Sequence, residues 1–321
     1  MSSINFDYLI DKISSAKFSH VPFKHIYVED FFDQEHFNTI INSPEILLGE
    51  VTSDKDLFKI LFKNNYKVIS FPGCTTNYNE YIHKHSRKEF LKENNTACES
   101  AGVVLRLYPK TEVLIALNNF LASKKFNSAI AQKFNINIDN CDIDGGIQKY
   151  LDGYEISPHP DIRRKAATFM VNINPHKASE RYNHHTHYLK LKTEYNYVKE
   201  FWETSSKAER HWVPWDWCDT SFMQTKNNSI VLFSPSNDTM HGVKAVYDHL
   251  STQRTQLYGN LWYLENKKLL GPSWEQLAVK DFSIPNNHNL VNNFVKLSKK
   301  IIKKVFFKDP NKDPNIGKRG Y

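Results

Sequence analysis

The chain has 321 residues, 40% of them hydrophobic, and a formal net charge of +7, enough to bury a substantial core in one large domain or one domain with appendages. From Asn289 onward nine Lys or Arg face two Asp, so residues 1–288 are charge-neutral and imply no general nucleic-acid-binding surface. No apolar run reaches the length of a membrane span, and residues 1–18 lack the basic-then-apolar order of a secretory signal.

In chain order, Asp33 is expected to cap a short helix running through Asn42. Val113, Ala116, Leu117, Phe120 and Leu121 form an apolar helical stripe, and Ser123 is placed to cap a following helix that carries Phe126, Ile130 and Phe134. The segment 145–156 reads as a strand, a tight turn at Asp152 and Gly153, and a second extended stretch. Residues 166–175 have the composition of a buried strand. Further strands are expected at 229–234, 241–246 and 253–263. Between them lies 176–225, a long polar and aromatic insert with Trp202, Trp212, Trp215 and Trp217, which suits either a substrate lid or a hydrophobic cover for the core. Within it, residues 183–187 (Asn183, His184, His185, Thr186, His187) are expected to form an exposed loop or part of a lid. Four scattered cysteines (Cys74, Cys98, Cys141, Cys218) fit reduced thiols and a cytoplasmic location. Residues 290–306 read as a basic amphipathic helix. It would suit an acidic partner, a membrane surface, or packing on the core with its lysines solvated.

The chemistry concentrates in four residues: His159 and Asp161, then His241, then Arg254. A lone His-x-Asp is expected by chance in a chain with 14 His, so its surroundings carry the weight. Pro158 and Pro160 favour extended backbone there, which would send the side chains of residues 159 and 161 to one side. Two imidazoles and a carboxylate, without thiolates, form the ligand set of a facial-triad iron(II) centre with open positions. An arginine near the start of the last strand offers a planar fork for the far carboxylate of a diacid.

The order of these elements, with Tyr150 and Gly153 before His159, and Phe233 to Ser236 before His241 and Arg254, resembles the prolyl-hydroxylase-like branch of the iron(II)/2-oxoglutarate dioxygenases over about residues 20–265. Phe23 to Phe32, leading into a helix, resembles the usual opening of that group. The resemblance implies a double-stranded β-helix (jelly roll) core at about 140–265 with supporting N-terminal helices, in a domain at 1–265; with the separate C-terminal extension at 266–321 and its helix, the expected fold is α+β with a mainly β core. It further implies that His159, Asp161 and His241 bind Fe(II), that Arg254 pairs with the cosubstrate 2-oxoglutarate, and that Tyr150 sets a phenol near it. The implied reaction uses O2 and releases succinate and CO2, most simply hydroxylating a protein side chain or a small metabolite; desaturation and ring closure stay open. The pattern departs from that branch in carrying arginine, where many relatives have lysine, and in lacking the usual Gly-Gly-Glu-Thr-like segment.

Three rival readings use the same residues. His-Pro-Asp also marks the loop of J-domain cochaperones, but that loop lies between helices and here both flanks favour strands. A jelly-roll interaction protein without catalysis would keep the fold alone. A different metalloenzyme built on 183–187 would need a carboxylate partner or a zinc-hydrolase helix motif, and neither is evident there.

Overall fold

The computed structural model describes residues 4–70, 74–86, 102–205, 209–245 and 254–265. The proposed basic helix at 290–306 and Cys98 lie outside the described residues. Helices dominate the first part of the chain: α1 (Tyr8–Ser15), α2 (Gln34–Ile41), α3 (Asp54–Lys63), α4 (Tyr78–Ser86), α5 (Glu112–Ala122) and α6 (Lys124–Lys133). Short strands β1 (Ile26–Val28), β2 (Tyr66–Val68) and β3 (Val104–Leu107) lie among them. The caps follow from side-chain chemistry. Asp33 accepts the His36 amide at 2.8 Å, and Ser123, just past the end of α5, accepts the Phe126 amide at 3.2 Å to start α6. The expected stripe on α5 is buried at Val113, Leu117 and Leu121.

Strands take over from β4 (Cys141–Tyr150): β5 (Ile156–His159), β6 (Lys165–Asn172), β7 (His187–Leu191), β8 (Cys218–Met223), β9 (Ile230–Phe233), β10 (His241–Val243) and β11 (Arg254–Tyr263), with α7 (Tyr197–Thr204) between β7 and β8. They form two antiparallel sheets, one in the order β1-β9-β6-β11-β4-β3-β2 and the other β5-β10-β7-β8. The architecture is mixed helix and antiparallel sheet, with strands dominating the core and consistent with a β-sandwich. Among the described residues no helix is long and apolar enough to cross a membrane, and no disulfide joins the described cysteines.

Alternation along the strands separates two environments. Ile147, Phe169, Val171, Leu232, Leu257 and Leu261 point from the larger sheet into a core shared with Leu114 and Leu117 of α5. The opposite face carries Tyr150, Met170, Val231, Phe233 and Tyr258, toward the smaller sheet. At Gly153, where φ is +74°, the chain leaves the larger sheet and enters the smaller one, so β4 and β5 are not a hairpin.

The stretch 176–225 differs from the sequence reading. It is no appendage to the core, because β7 and β8 are two of the four strands of the smaller sheet. Residues 184–187 are buried rather than exposed, with His185 fully enclosed. The aromatic segment around them divides. Trp202, with Trp215 and Trp217, covers the sheet's outer face beside Leu189, Leu191 and Met240, whereas Trp212 borders a cavity.

Candidate metal centre and its cavity

His159 ends β5 and His241 begins β10, and the two are direct cross-strand partners. Residues opposite one another in an antiparallel pair share a face, and the two rings lie 4.4 Å apart between centroids. The Nδ1 atom of His159 lies 2.9 Å from the Ser157 carbonyl, and that of His241 2.9 Å from the Thr239 carbonyl. A carbonyl can only accept, so each Nδ1 donates a proton and each ring turns its Nε2 toward Asp161.

Asp161 reaches the same point by a different route from the one its spacing suggests. Its backbone is left-handed, with φ at +58°, rather than extended. Asp tolerates that region better than most residues. The Thr239 hydroxyl holds the turn by donating to the Pro160 carbonyl at 3.2 Å, and the Arg210 Nη1 reaches the Asp161 carbonyl at 3.3 Å. The carboxylate then stands 3.5 Å from His159 Nε2 and 3.9 Å from His241 Nε2. One ligand atom from each of the three residues falls within 4.8 Å of the others. Among the described residues this is the only grouping of three or more such side chains that could hold an ion.

Electrostatics prepare the donors. Burial pushes His241 down to about 3, helped by neighbouring His159, so its imidazole is neutral at physiological pH. Burial works to raise the Asp161 carboxyl, but Lys165 and the two histidines outweigh it and hold the group well below the usual carboxylate range. Lys165 Nζ donates to Asp161 Oδ1 at 2.6 Å, and the Thr168 hydroxyl donates to Oδ2 at 2.8 Å. The donor set is therefore two imidazoles and one oriented carboxylate, which fits a divalent ion of the iron(II) type.

These residues line a cavity of about 490 Å³ together with Arg254. Arg254 is buried, and its Cζ sits 4.5 Å over the Tyr150 ring. Its Nη2 donates to the Thr186 hydroxyl at 2.8 Å and to Gln256 Oε1 at 3.0 Å, while Nε and Nη1 have no hydrogen-bond partner among the described residues. A buried cation with two idle donors is costly unless an anion completes it. The Tyr150 hydroxyl donates to Gln148 at 2.6 Å, and burial pushes its phenol up to about 12. Tyr150 thus serves the arginine with its ring face.

The structure brings all five sequence-nominated residues to one cavity. Sequence reading passed over Lys165, Thr168, Thr186, Gln256 and Arg210. Gln256 had a signal, since it shares a strand face with Arg254 two residues on. Lys165 stands next to an apolar strand run, four residues after Asp161. For Arg210 the sequence carries no local sign.

No protein-family model matches the chain, and no curated protein sequence does. Solved structures superpose on it loosely. A prolyl-4-hydroxylase from Pseudomonas putida gives a TM-score of 0.34 at 11% identity, over 80% of this chain and 98% of that one. The ycfD protein of E. coli gives 0.30 at 11% identity, over 97% of this chain and 62% of that one, so this chain spans less than two thirds of ycfD. At such scores the likeness carries no weight of its own.

Proposed function

We propose that this protein is an iron(II)- and 2-oxoglutarate-dependent oxygenase, most simply a hydroxylase. One observation carries the reading: a two-histidine, one-carboxylate cluster shares a cavity with a buried guanidinium whose Nε and Nη1 are unpartnered. Either feature alone has many uses. Together they meet the two needs of this chemistry, a metal with positions left open and a clamp for a dicarboxylic acid. A non-catalytic binding protein would gain nothing from burying an unsatisfied arginine beside three poised donors.

The strand arrangement supports a double-stranded β-helix. Chain order from β4 to β11 runs between the sheets as larger, smaller, larger, smaller, smaller, larger, smaller, larger. In this reading His159, Asp161 and His241 hold the ion, and Arg254 donates to the distal carboxylate of the oxo acid. When bound, ion and oxo acid supply the oxidising power, as O2 is consumed and 2-oxoglutarate becomes succinate and carbon dioxide. The chain's own part is positioning. Thr168 and Lys165 fix both oxygens of Asp161, the backbone carbonyls fix both imidazoles, and the Tyr150 ring sets the plane of Arg254. Met170, Ile156, Val243 and Tyr258 make the walls that keep bulk water out.

The test is spectroscopic. Adding iron(II) and 2-oxoglutarate without oxygen should produce a metal-to-ligand charge-transfer band in the visible range, absent from Asp161→Ala and His241→Ala. An unchanged band in either variant removes that residue from the ligand set. No band in the wild type, with neither ligand binding by calorimetry, overturns the function.

A further inference from the structure

The cavity's charges are matched almost completely by the protein itself. Lys165 meets Asp161 at 2.6 Å, and Arg163 meets Glu209 at 3.1 Å with its backbone amide on the same carboxylate oxygen. Arg254 awaits the cosubstrate. Arg210 is drawn toward Glu209 and Asp161 but pairs directly with neither. It lines the same cavity, forms no ion pair among the described residues, and its side-chain Nε is buried without a hydrogen-bond partner. Its remaining contacts are long ones from Nη1 to the Pro160 and Asp161 carbonyls, at 3.5 and 3.3 Å. Those carbonyls need no guanidinium charge; lysine or an amide would serve them as well.

Position makes the surplus cation informative. Glu209 Oε1 accepts the Arg210 amide at 2.8 Å, and the Val213 amide donates to the Pro158 carbonyl at 2.8 Å, so the segment 209–213 is pinned against the strand that carries His159. Trp212, Ile162 and Val243 provide apolar wall around it. A fixed fork of donors beside an apolar surface, next to a metal ligand, is how a site grips one end of an organic anion while its carbon skeleton lies on the wall.

We propose that Arg210 receives an oxyanion group, carboxylate or phosphate, of a small organic substrate. The inference rests on the oxygenase reading and names the substrate's class. It assigns Arg210 a binding role separate from that of Arg254. The cavity of about 490 Å³ must also take the oxo acid, which favours a small acid over a folded polypeptide segment.

The charge-transfer band of the iron(II) and 2-oxoglutarate complex, formed without oxygen, reports occupancy beside the metal and leaves Arg254 saturated. Inorganic phosphate, organophosphates and a panel of small carboxylic acids, each carboxylic acid beside its primary amide, would be titrated against that band. At least one oxyanion should perturb it and bind about tenfold or more tightly than its neutral counterpart. That preference should vanish in Arg210→Gln and return in part in Arg210→Lys, with the unperturbed band retained in both. Carboxylates and phosphates competing separately would tell which oxyanion is preferred. Equal binding of acid and amide, no ligand in the panel that perturbs the band, or a preference that survives Arg210→Gln would overturn the proposal. So would loss of the band in Arg210→Gln, which would make the residue a support for the Asp161 turn only. Absence of the band in the wild type is a different failure, that of the oxygenase reading itself.

Discussion

Asp161 answers to three groups at once: a lysine, a threonine hydroxyl and the space between two imidazoles. Removing Lys165 takes away the largest influence that opposes burial at this carboxylate, so its pKa then rises. Lys165→Met should therefore cost about 3–5 kcal/mol in metal-free protein, with part of the loss recovered when a divalent ion supplies the missing positive charge. Thermal melts in chelator and in manganese(II) test this, and equal losses in both would contradict it. Arg254→Ala should weaken 2-oxoglutarate binding by roughly 10- to 100-fold while leaving metal binding intact, as expected for a charge-assisted carboxylate contact. Calorimetry on the metal-loaded protein reads both. At this scale the sequence was generous: residue type and order brought out His159, Asp161, His241 and Arg254. It misled on how Asp161 arrives, because a left-handed turn after Pro160 carries no compositional mark.

Elements fix these residues through close packing, and Gly259 in β11 is a sensitive point. A Cβ there would stand 2.2 Å from Phe169 Cζ, against a ring buried under α6. Gly259→Ala should destabilise by roughly 1–3 kcal/mol, the usual penalty of overpacking. Combining it with Phe169→Leu should cost less than the two changes added, and denaturant titration of the double-mutant cycle measures the difference. Caps and apolar stripes were readable because each rests on a local rule, as at Asp33 and Ser123. The smaller sheet was not. His187, Tyr188, Leu189 and Leu191 are buried on both faces, so β7 lacks the alternation that identifies a half-exposed strand. Its polar neighbours also disguised it as a loop. What hides them is the aromatic segment folded back over the sheet, a non-local fact.

Across the whole molecule, several buried histidines are kept neutral. Burial depresses His185 and His187 to about 4 and His241 to about 3, against 6.5 in the unfolded chain. Depressed folded values mean that the unfolded chain binds protons first as pH falls. The stability these groups contribute is therefore complete above about pH 6.5 and drains away toward pH 4, at about 1.4 kcal/mol per pH unit for each histidine. Urea titrations of metal-free protein at pH 7 and pH 5 should show the loss, and His185→Gln should reduce it; a flat profile would contradict the assignment. A mixed fold with a strand-dominated core was legible from strand-like runs and turn glycines, whereas the division into two sheets depends on pairings far apart in sequence. One of those pairings sets how long an ion would stay. β5 is the outermost strand of its sheet, paired with one strand, the three-residue β10, and otherwise held by the Val213 amide on the Pro158 carbonyl. A metal held by His159 and His241 would rivet that rim, so its residence time would follow the rate at which the rim peels rather than the rate of global unfolding. Amide exchange within 156–159 and 241–243 should slow sharply on adding manganese(II), while that of β11 stays as it was.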